Sequence, residues 1–203
     1  MNIFSVLNEG ASRLHEPSMS AFLGYLLDTT KDHGLGDTFL RAFLADLDPQ
    51  VFAPILATPT KIWAVTELEQ TYTLGASTCS LDIEVSIFDV DQDSKEIARL
   101  VIENKIRSAA ANPDQLARYY AAVLEDDPAL RNLYMVYLTP AANTATLIAA
   151  FSALRLLPER QHNARWIHWD APGGGVLGIL RQILAQEAVG GINPINEYMR
   201  HTL

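Results

Sequence analysis

One cysteine, Cys79, is all that the 203-residue chain carries, so no internal disulfide can form. That scarcity predicts a reducing compartment. No run reaches about 18 consecutive apolar residues, the length a membrane-spanning helix requires. The opening stretch MNIFSVLNEGASRLHEP has neither the basic start nor the apolar run of a signal peptide, so a cytoplasmic protein with no membrane partner is expected. Internal repeats, low-complexity tracts and Pro/Ser-rich linkers are also lacking. His15, His33, His162, His168 and His201 have no spacing of the zinc-binding kind. Gly173-Gly174-Gly175 lacks the lysine and the spacing of a phosphate-binding P-loop, and reads as a flexible loop. Basic residues are scarce: 15 Lys and Arg face 24 Asp and Glu, a net charge of −9. Proteins that hold nucleic acid usually present a basic surface. Any such surface here has to be local, supplied by a partner, or assisted by a bound cation.

What is abundant is apolar side chain. With 49% hydrophobic and 19% charged residues, the chain is that of a globular protein with a real core. A chain of this size buries about 70% of its unfolded surface and needs no structural staple. A single domain over 1–203 is expected.

Periodicity places the elements. Pro17 suits a first helical turn, and Met19, Phe22, Leu23, Leu26 and Leu27 follow at helical spacing. His33-Gly34-Leu35-Gly36 breaks that helix. Asp37 can cap a second one, in which Phe39, Leu40, Phe43, Leu44 and Leu47 repeat the period. Asp48-Pro49 and the prolines at 54 and 59 predict irregular chain. Residues 62–74 are rich in β-branched and aromatic types. Residues 81–90 alternate, with Leu81, Ile83, Val85 and Ile87 on one face and Asp82, Glu84 and Ser86 on the other. The polar stretch 91–95 reads as a hairpin turn into a strand at 97–106. Pro113 and Asp114 open a helix carrying Leu116, Tyr119, Tyr120, Val123 and Leu124 on one side. A strand at 133–138, a helix around 143–156, a strand at 164–169 and a helix over about 175–188 complete the order, which implies a mixed sheet with helices on its faces.

The segment Ile102-Glu103-Asn104-Lys105-Ile106 is the most informative one. Residues two apart in a strand point the same way, so Glu103 and Lys105 share a face with Val101. An acid and a lysine near the end of an apolar strand form a polar pair whose burial needs a reason. If the hairpin pairs antiparallel, the face bearing Asp82 and Glu84 coincides with theirs, and two or three carboxylates stand beside one lysine. Crowded carboxylates stay ionised most readily around a cation. Mg²⁺ or Mn²⁺ favours such all-oxygen sites. A metal there polarises a phosphate oxygen and acidifies a bound water, while the ammonium orients that water or stabilises developing charge.

These residues resemble the signature of the PD-(D/E)XK nuclease superfamily: Asp82, then after a hairpin Glu103-Asn104-Lys105, with Leu81 standing where the family name has proline. Ten residues past the lysine, Gln115-Leu116-Ala117-Arg118-Tyr119 is similar to the Gln-x-x-x-Tyr helix of the exonuclease-like branch. The N-terminal pieces Glu16 and Ser20, Leu23, Leu26-Leu27-Asp28, His33-Gly34-Leu35-Gly36-Asp37 and Phe39-Leu40 resemble an uncharacterised bacterial branch. The resemblance covers roughly residues 1–140. It implies a restriction-endonuclease-like α/β/α sandwich with a central mixed sheet: a helical part at about 1–50, a catalytic core at about 60–140 and a strand/helix part at 141–203. It also implies Mg²⁺-dependent (or Mn²⁺-dependent) hydrolysis of nucleic acid, with DNA the usual substrate, and a setting such as phage defence. Asp82 and Glu103 would hold the metal, Glu16 in the first helical turn would assist, Lys105 would place the water, and Gln115 and Tyr119 would order the site. A homodimer or a partner protein is compatible with this.

Plainer readings stand beside each of these. Glu103 and Lys105 could be a cross-strand ion pair, and Glu84 could be the ligand in place of Asp82. Glu67 and Glu69 fit solvent-facing positions on an edge strand. Glu16 suits a helix start through the dipole alone. Tyr119 could be core packing, as could Trp166 and Trp169, which could otherwise stack on bases. His33 could simply end a helix, or act in catalysis. The rival to a nuclease is a catalytically silent module of the same fold that binds a basic partner or regulates a toxin or defence system.

Overall fold

The computed structural model describes residues 16–89, 95–106, 114–130, 132–140, 144–154, 163–172 and 174–190. The hairpin turn expected at 91–95 lies outside these apart from Lys95, as do Pro113, Gly173, His15, His162 and His201.

In chain order the described elements are α1 (Glu16–Leu27), α2 (Thr38–Leu47), α3 (Ala53–Leu56), β1 (Trp63–Leu74), β2 (Ser77–Asp89), β3 (Lys95–Asn104), α4 (Gln115–Asp126), β4 (Leu133–Thr139), α5 (Ala145–Leu154), β5 (Ala164–His168) and α6 (Gly175–Gly190). The strands form one five-stranded sheet in the order β1-β2-β3-β4-β5. Neighbours β1, β2 and β3 run antiparallel, and β3, β4 and β5 run parallel. The sheet is therefore mixed, as the alternation of strands and helices after a hairpin requires.

Both faces are covered. On one, Leu23, Leu26 and Leu27 of α1, Phe39, Leu40, Phe43 and Leu44 of α2, and Ile179, Leu180 and Ile183 of α6 pack on Ile83, Val85, Ile87, Leu100 and Ile102. On the other, Leu116, Tyr119, Tyr120 and Val123 of α4 and Leu147 and Ala150 of α5 cover Val101, Met135 and Tyr137. The result is an α/β/α sandwich. Non-directional burial of these apolar faces, worth about 25 cal/mol per Å², holds the layers together.

Three expectations need correction. Pro49 and Pro59 do lie in irregular chain, but Pro54 sits in the first turn of the short α3, where its missing N–H has no helical partner to lose. Asp37 precedes α2 but makes no side-chain cap. Its carboxylate instead accepts from Ile62 N at 2.8 Å and from Arg41 Nε at 2.7 Å, tying α2 to the start of β1. Leu81 does not share the core of Ile83, Val85 and Ile87: Cys79 and Leu81 belong to the second face. The β1–β2 hairpin changes sides at Asp82, opposite Glu69, whose φ of +52° is one that residues with a Cβ seldom adopt.

Candidate active site

The site lies where β3 ends. The β2–β3 pairing runs to Ile83 opposite Ile102, and Asp82 and Glu103 are the next residues on the two strands, their carboxyls within hydrogen-bond reach of each other. The two carboxylates therefore stand on one face of neighbouring antiparallel strands. Asp82 Oδ2 accepts from the Asn104 backbone N at 2.7 Å, which anchors that carboxylate across the strand pair. Lys105 follows the last strand residue and donates its backbone N–H to Leu138 O at 2.8 Å. Its ammonium turns back to form an ion pair with Glu103 Oε1.

Glu103 is 1% exposed. Beyond Lys105 and the adjacent Asp82 carboxyl, no donor among the described residues reaches either of its buried oxygens. Burial, with the Asp82 charge beside it, pushes the Glu103 carboxyl up to about 8 against the pull of Lys105. Asp82 is raised as well, by burial, although Asn104 N and Lys105 favour its ionised form. Burial weakens the Lys105 ammonium, but the carboxylates of Glu103, Asp82 and Glu16 outweigh this and hold its pKa above the ordinary lysine value.

Glu16, in the first turn of α1, reaches the same corner: its Oε1 accepts from Ile106 N at 3.2 Å. What fixes the start of α1 is Asn104, on the opposite face from Glu103. The Asn104 amide donates to Ser20 Oγ at 3.0 Å and to Glu16 O at 3.4 Å, and accepts from Trp169 Nε1 at 2.8 Å. Gln115 opens α4 and donates from Nε2 to Tyr119 Oη at 2.5 Å. Tyr119 is raised by burial and by the Glu103 charge, so it faces the carboxylates. All six sequence-chosen residues (Glu16, Asp82, Glu103, Lys105, Gln115 and Tyr119) thus converge on one end of the sheet.

Other candidates go elsewhere. Glu84 shares the face but is bound to Tyr72 Oη at 2.6 Å and lies 3.7 Å from Arg99 Nε. Glu67 and Glu69 are exposed on the edge strand β1. His33 is buried and structural: Nε2 pairs with Asp28 O at 3.0 Å, and Nδ1 accepts from Leu35 N at 3.1 Å. Asp28 is likewise committed, accepting from Thr30 N at 2.9 Å and Thr66 N at 3.2 Å. His168 and Trp166 meet at Thr139 Oγ1, at 3.1 and 2.8 Å. In the glycine loop, Gly175 has a φ of +75° and a Cβ there would lie 2.5 Å from His168 O, so close backbone packing explains it. Its N–H points at Asp46 Oδ2, 3.3 Å away, which makes a phosphate cradle there unnecessary.

Sequence reasoning missed Tyr137. It is in register with Glu103 on β4, 1% exposed, and its hydroxyl is pushed up to about 12, chiefly by burial. Nothing in the apolar run LYMVYL separates it from core packing, because its neighbour on β3 is set by a parallel pairing that only the fold defines.

A family model described as the PD-(D/E)XK nuclease superfamily matches residues 1–167. The chain belongs to that superfamily. No curated protein matches it. Among solved structures, one titled "Crystal Structure of Protein of Unknown Function AF1548" is similar with 8% identity and a TM-score of 0.40, over 72% of this chain and 66% of that one. A likeness of that order carries no argument here. The five-stranded mixed sheet between helices agrees with the superfamily's fold, and membership points to nuclease-type, generally hydrolytic chemistry. No helix among the described residues is long and apolar enough to cross a membrane.

The corner fits a hard divalent cation. Among the described residues no group of three or more His, Cys, Asp or Glu forms a ready cage. Mg²⁺ does not need one, since it is usually held by one or two carboxylates and keeps several waters. Among the described residues Glu103 has only Lys105 and the Asp82 carboxyl beside its two buried oxygens, and the single ammonium of Lys105 is shared among the carboxylates of Glu103, Asp82 and Glu16. That surplus of negative charge is what a dication would balance.

Proposed function

We propose that this chain, as one nuclease-like domain, is a divalent-metal-dependent nuclease that hydrolyses phosphodiester bonds in nucleic acid, with DNA the preferred substrate class. The observation that carries the reading is the convergence of Asp82, Glu103 and Lys105 on one buried corner in a chain of this superfamily. Asp82 and Glu103 hold Mg²⁺ or Mn²⁺, with Glu16 assisting. When bound, such an ion polarises a phosphate oxygen and acidifies a water. Lys105, kept charged by its carboxylate neighbours, orients that water or stabilises charge growing on the phosphorus oxygens. Gln115 fixes the Tyr119 hydroxyl, and the pair orders the α4 side of the corner against substrate. The reading is of a cytoplasmic enzyme, with phage defence as a fitting setting.

Incubation of the purified chain with Mg²⁺ or Mn²⁺ and single- or double-stranded DNA and RNA should yield cleavage. Lys105→Ala should lower the rate by about 10²–10³-fold, the usual size of a lost charge-stabilising group. Equal activity of the two proteins would sink the assignment.

The net charge of −9 favours a second reading, a catalytically silent module that binds a basic partner protein or regulates a defence or toxin system. Calorimetric titration separates the two. Divalent binding that disappears in Asp82→Asn and Glu103→Gln supports the nuclease, and its absence in the wild type supports the module.

A further inference from the structure

Tyr137 holds a buried hydroxyl for which the described residues provide no partner. Buried tyrosine hydroxyls are nearly always hydrogen-bonded. A phenylalanine would fill the same core position without that penalty, so packing does not account for the oxygen. The ring is fixed: it stacks on Phe151 at 6.4 Å with an interplanar angle of 4°, and tilts against Trp166 at 5.7 Å. It stands on the same face as Glu103 and in register with it on the adjacent parallel strand. The charges of Lys105, Glu103 and Glu16 all act on the hydroxyl. Tyr119, on the facing helix, differs in having its own partner in Gln115.

Side chains in a sheet stand roughly perpendicular to it. A tyrosine is longer than a glutamate, so from neighbouring strands its hydroxyl reaches past the carboxylate into the layer where anything held by Asp82 and Glu103 would sit. We propose that Tyr137 is a positioning residue of the site, whose O–H donates to a water of the divalent cation held by Asp82 and Glu103. The proposal rests on the metal-site reading above. Groups that hydrogen-bond around a metal commonly set its affinity as well as its reactivity.

The test is Mn²⁺ binding to the full chain by calorimetry, beside thermal unfolding without metal. Tyr137→Phe should weaken Mn²⁺ binding by about ten-fold. Its metal-free unfolding midpoint should stay level or rise, since an unsatisfied buried group is removed. Phe151→Leu, which loosens the ring but keeps the hydroxyl, should leave the affinity within about two-fold of wild type, well short of the loss expected from an outer-shell contact. Unchanged affinity in Tyr137→Phe beside a binding wild type would overturn the role of Tyr137 alone, as would an equal loss in Phe151→Leu. A wild type that binds no Mn²⁺ would overturn the metal-site reading itself, and Tyr137's role with it.

Discussion

Two buried glutamates stand on the same face of the same pair of strands, and they are treated in opposite ways. Glu84 accepts from Tyr72 Oη at 2.6 Å and lies 3.7 Å from Arg99 Nε. Arg99 itself forks onto Glu96 at 2.7 and 2.6 Å and lies 3.8 Å from Asp127, at the end of α4. Burial raises the Glu84 carboxyl, and Tyr72 and Arg99 pull it back. Its charge is divided over a network of donors. Glu103, two residues further along the face, has among the described residues one ammonium, which other carboxylates also claim, and beyond it only the Asp82 carboxyl. Burial alone therefore does not distinguish the two acids; the tally of partners does. The Glu84 network ties β2, β3 and α4 together. The Glu103 corner retains unmet electrostatic demand, the condition under which a site gains by taking up a ligand.

Substitutions on the two sides of this contrast should separate stability from activity. Lys105→Ala should cost about 10²–10³-fold in cleavage, or roughly 3–4 kcal/mol of transition-state stabilisation. Its fold should persist, read by circular dichroism. Arg99→Ala should do the reverse. Removing one partner of a buried charge network strands the others and typically costs about 3 kcal/mol. In a chain of this size that lowers the unfolding midpoint by roughly 6–12 °C. Mn²⁺ affinity should not change. If Arg99→Ala abolished Mn²⁺ binding while still folded, the two clusters would be one site and the contrast would be wrong.

Glu84→Gln should have a smaller effect of the same kind. It keeps the shape and an acceptor for Tyr72 but removes the charge facing Arg99, at a cost of about 1–2 kcal/mol. Denaturant unfolding would read this as a lower midpoint with an unchanged slope. A loss of cleavage in folded Glu84→Gln would return Glu84 to the list of ligands, the alternative that strand alternation alone leaves open.

Much of this contrast was legible in the sequence, and its limits have physical causes. Period-two alternation pairs Asp82 with Glu84 and Glu103 with Lys105, because side-chain direction in a strand is a local property, whereas the meeting of the two faces rests on the antiparallel hairpin. The sharing of Lys105 by Glu103, Asp82 and Glu16 depended on register and on the start of α1, which Asn104 fixes from the opposite face. No local pattern reveals that. Alternation assumes a regular pleat and so groups Leu81 with Ile83, whereas the hairpin crosses over at Asp82 opposite the left-handed Glu69 and turns Leu81 to the other face. Tyr137 was invisible because β3 and β4 pair in parallel across a helix, so its contact with Glu103 is non-local. His33 is the helix-ending residue that the glycine after it suggests: both ring nitrogens are spent on backbone groups of the loop after α1.

A difference between proteins, measured against pH, sharpens the contrast further. A carboxyl pushed up to about 8 in the folded chain, from an ordinary value of about 4.3 when unfolded, binds a proton more tightly when folded. Its contribution to stability is therefore fully present below the unfolded value and is lost as pH rises through the folded one. Metal-free protein should lose unfolding midpoint steadily between about pH 5 and 8, by roughly 2–4 °C for each kcal/mol at this size. Asp82 and Glu84, also raised, add to the same trend, so the informative quantity is the difference between proteins. Glu103→Gln should flatten the slope. Saturating Mn²⁺ should flatten it in the wild type as well, because a bound dication takes the place of the proton on Glu103. Calorimetry in buffers of different ionisation enthalpy should then show proton release on Mn²⁺ binding at pH 7. The release should vanish above about pH 9, where the carboxyl is already ionised. A slope that survives Glu103→Gln intact, or binding without proton release at pH 7, would mean that Glu103 is no less satisfied in the fold than Glu84.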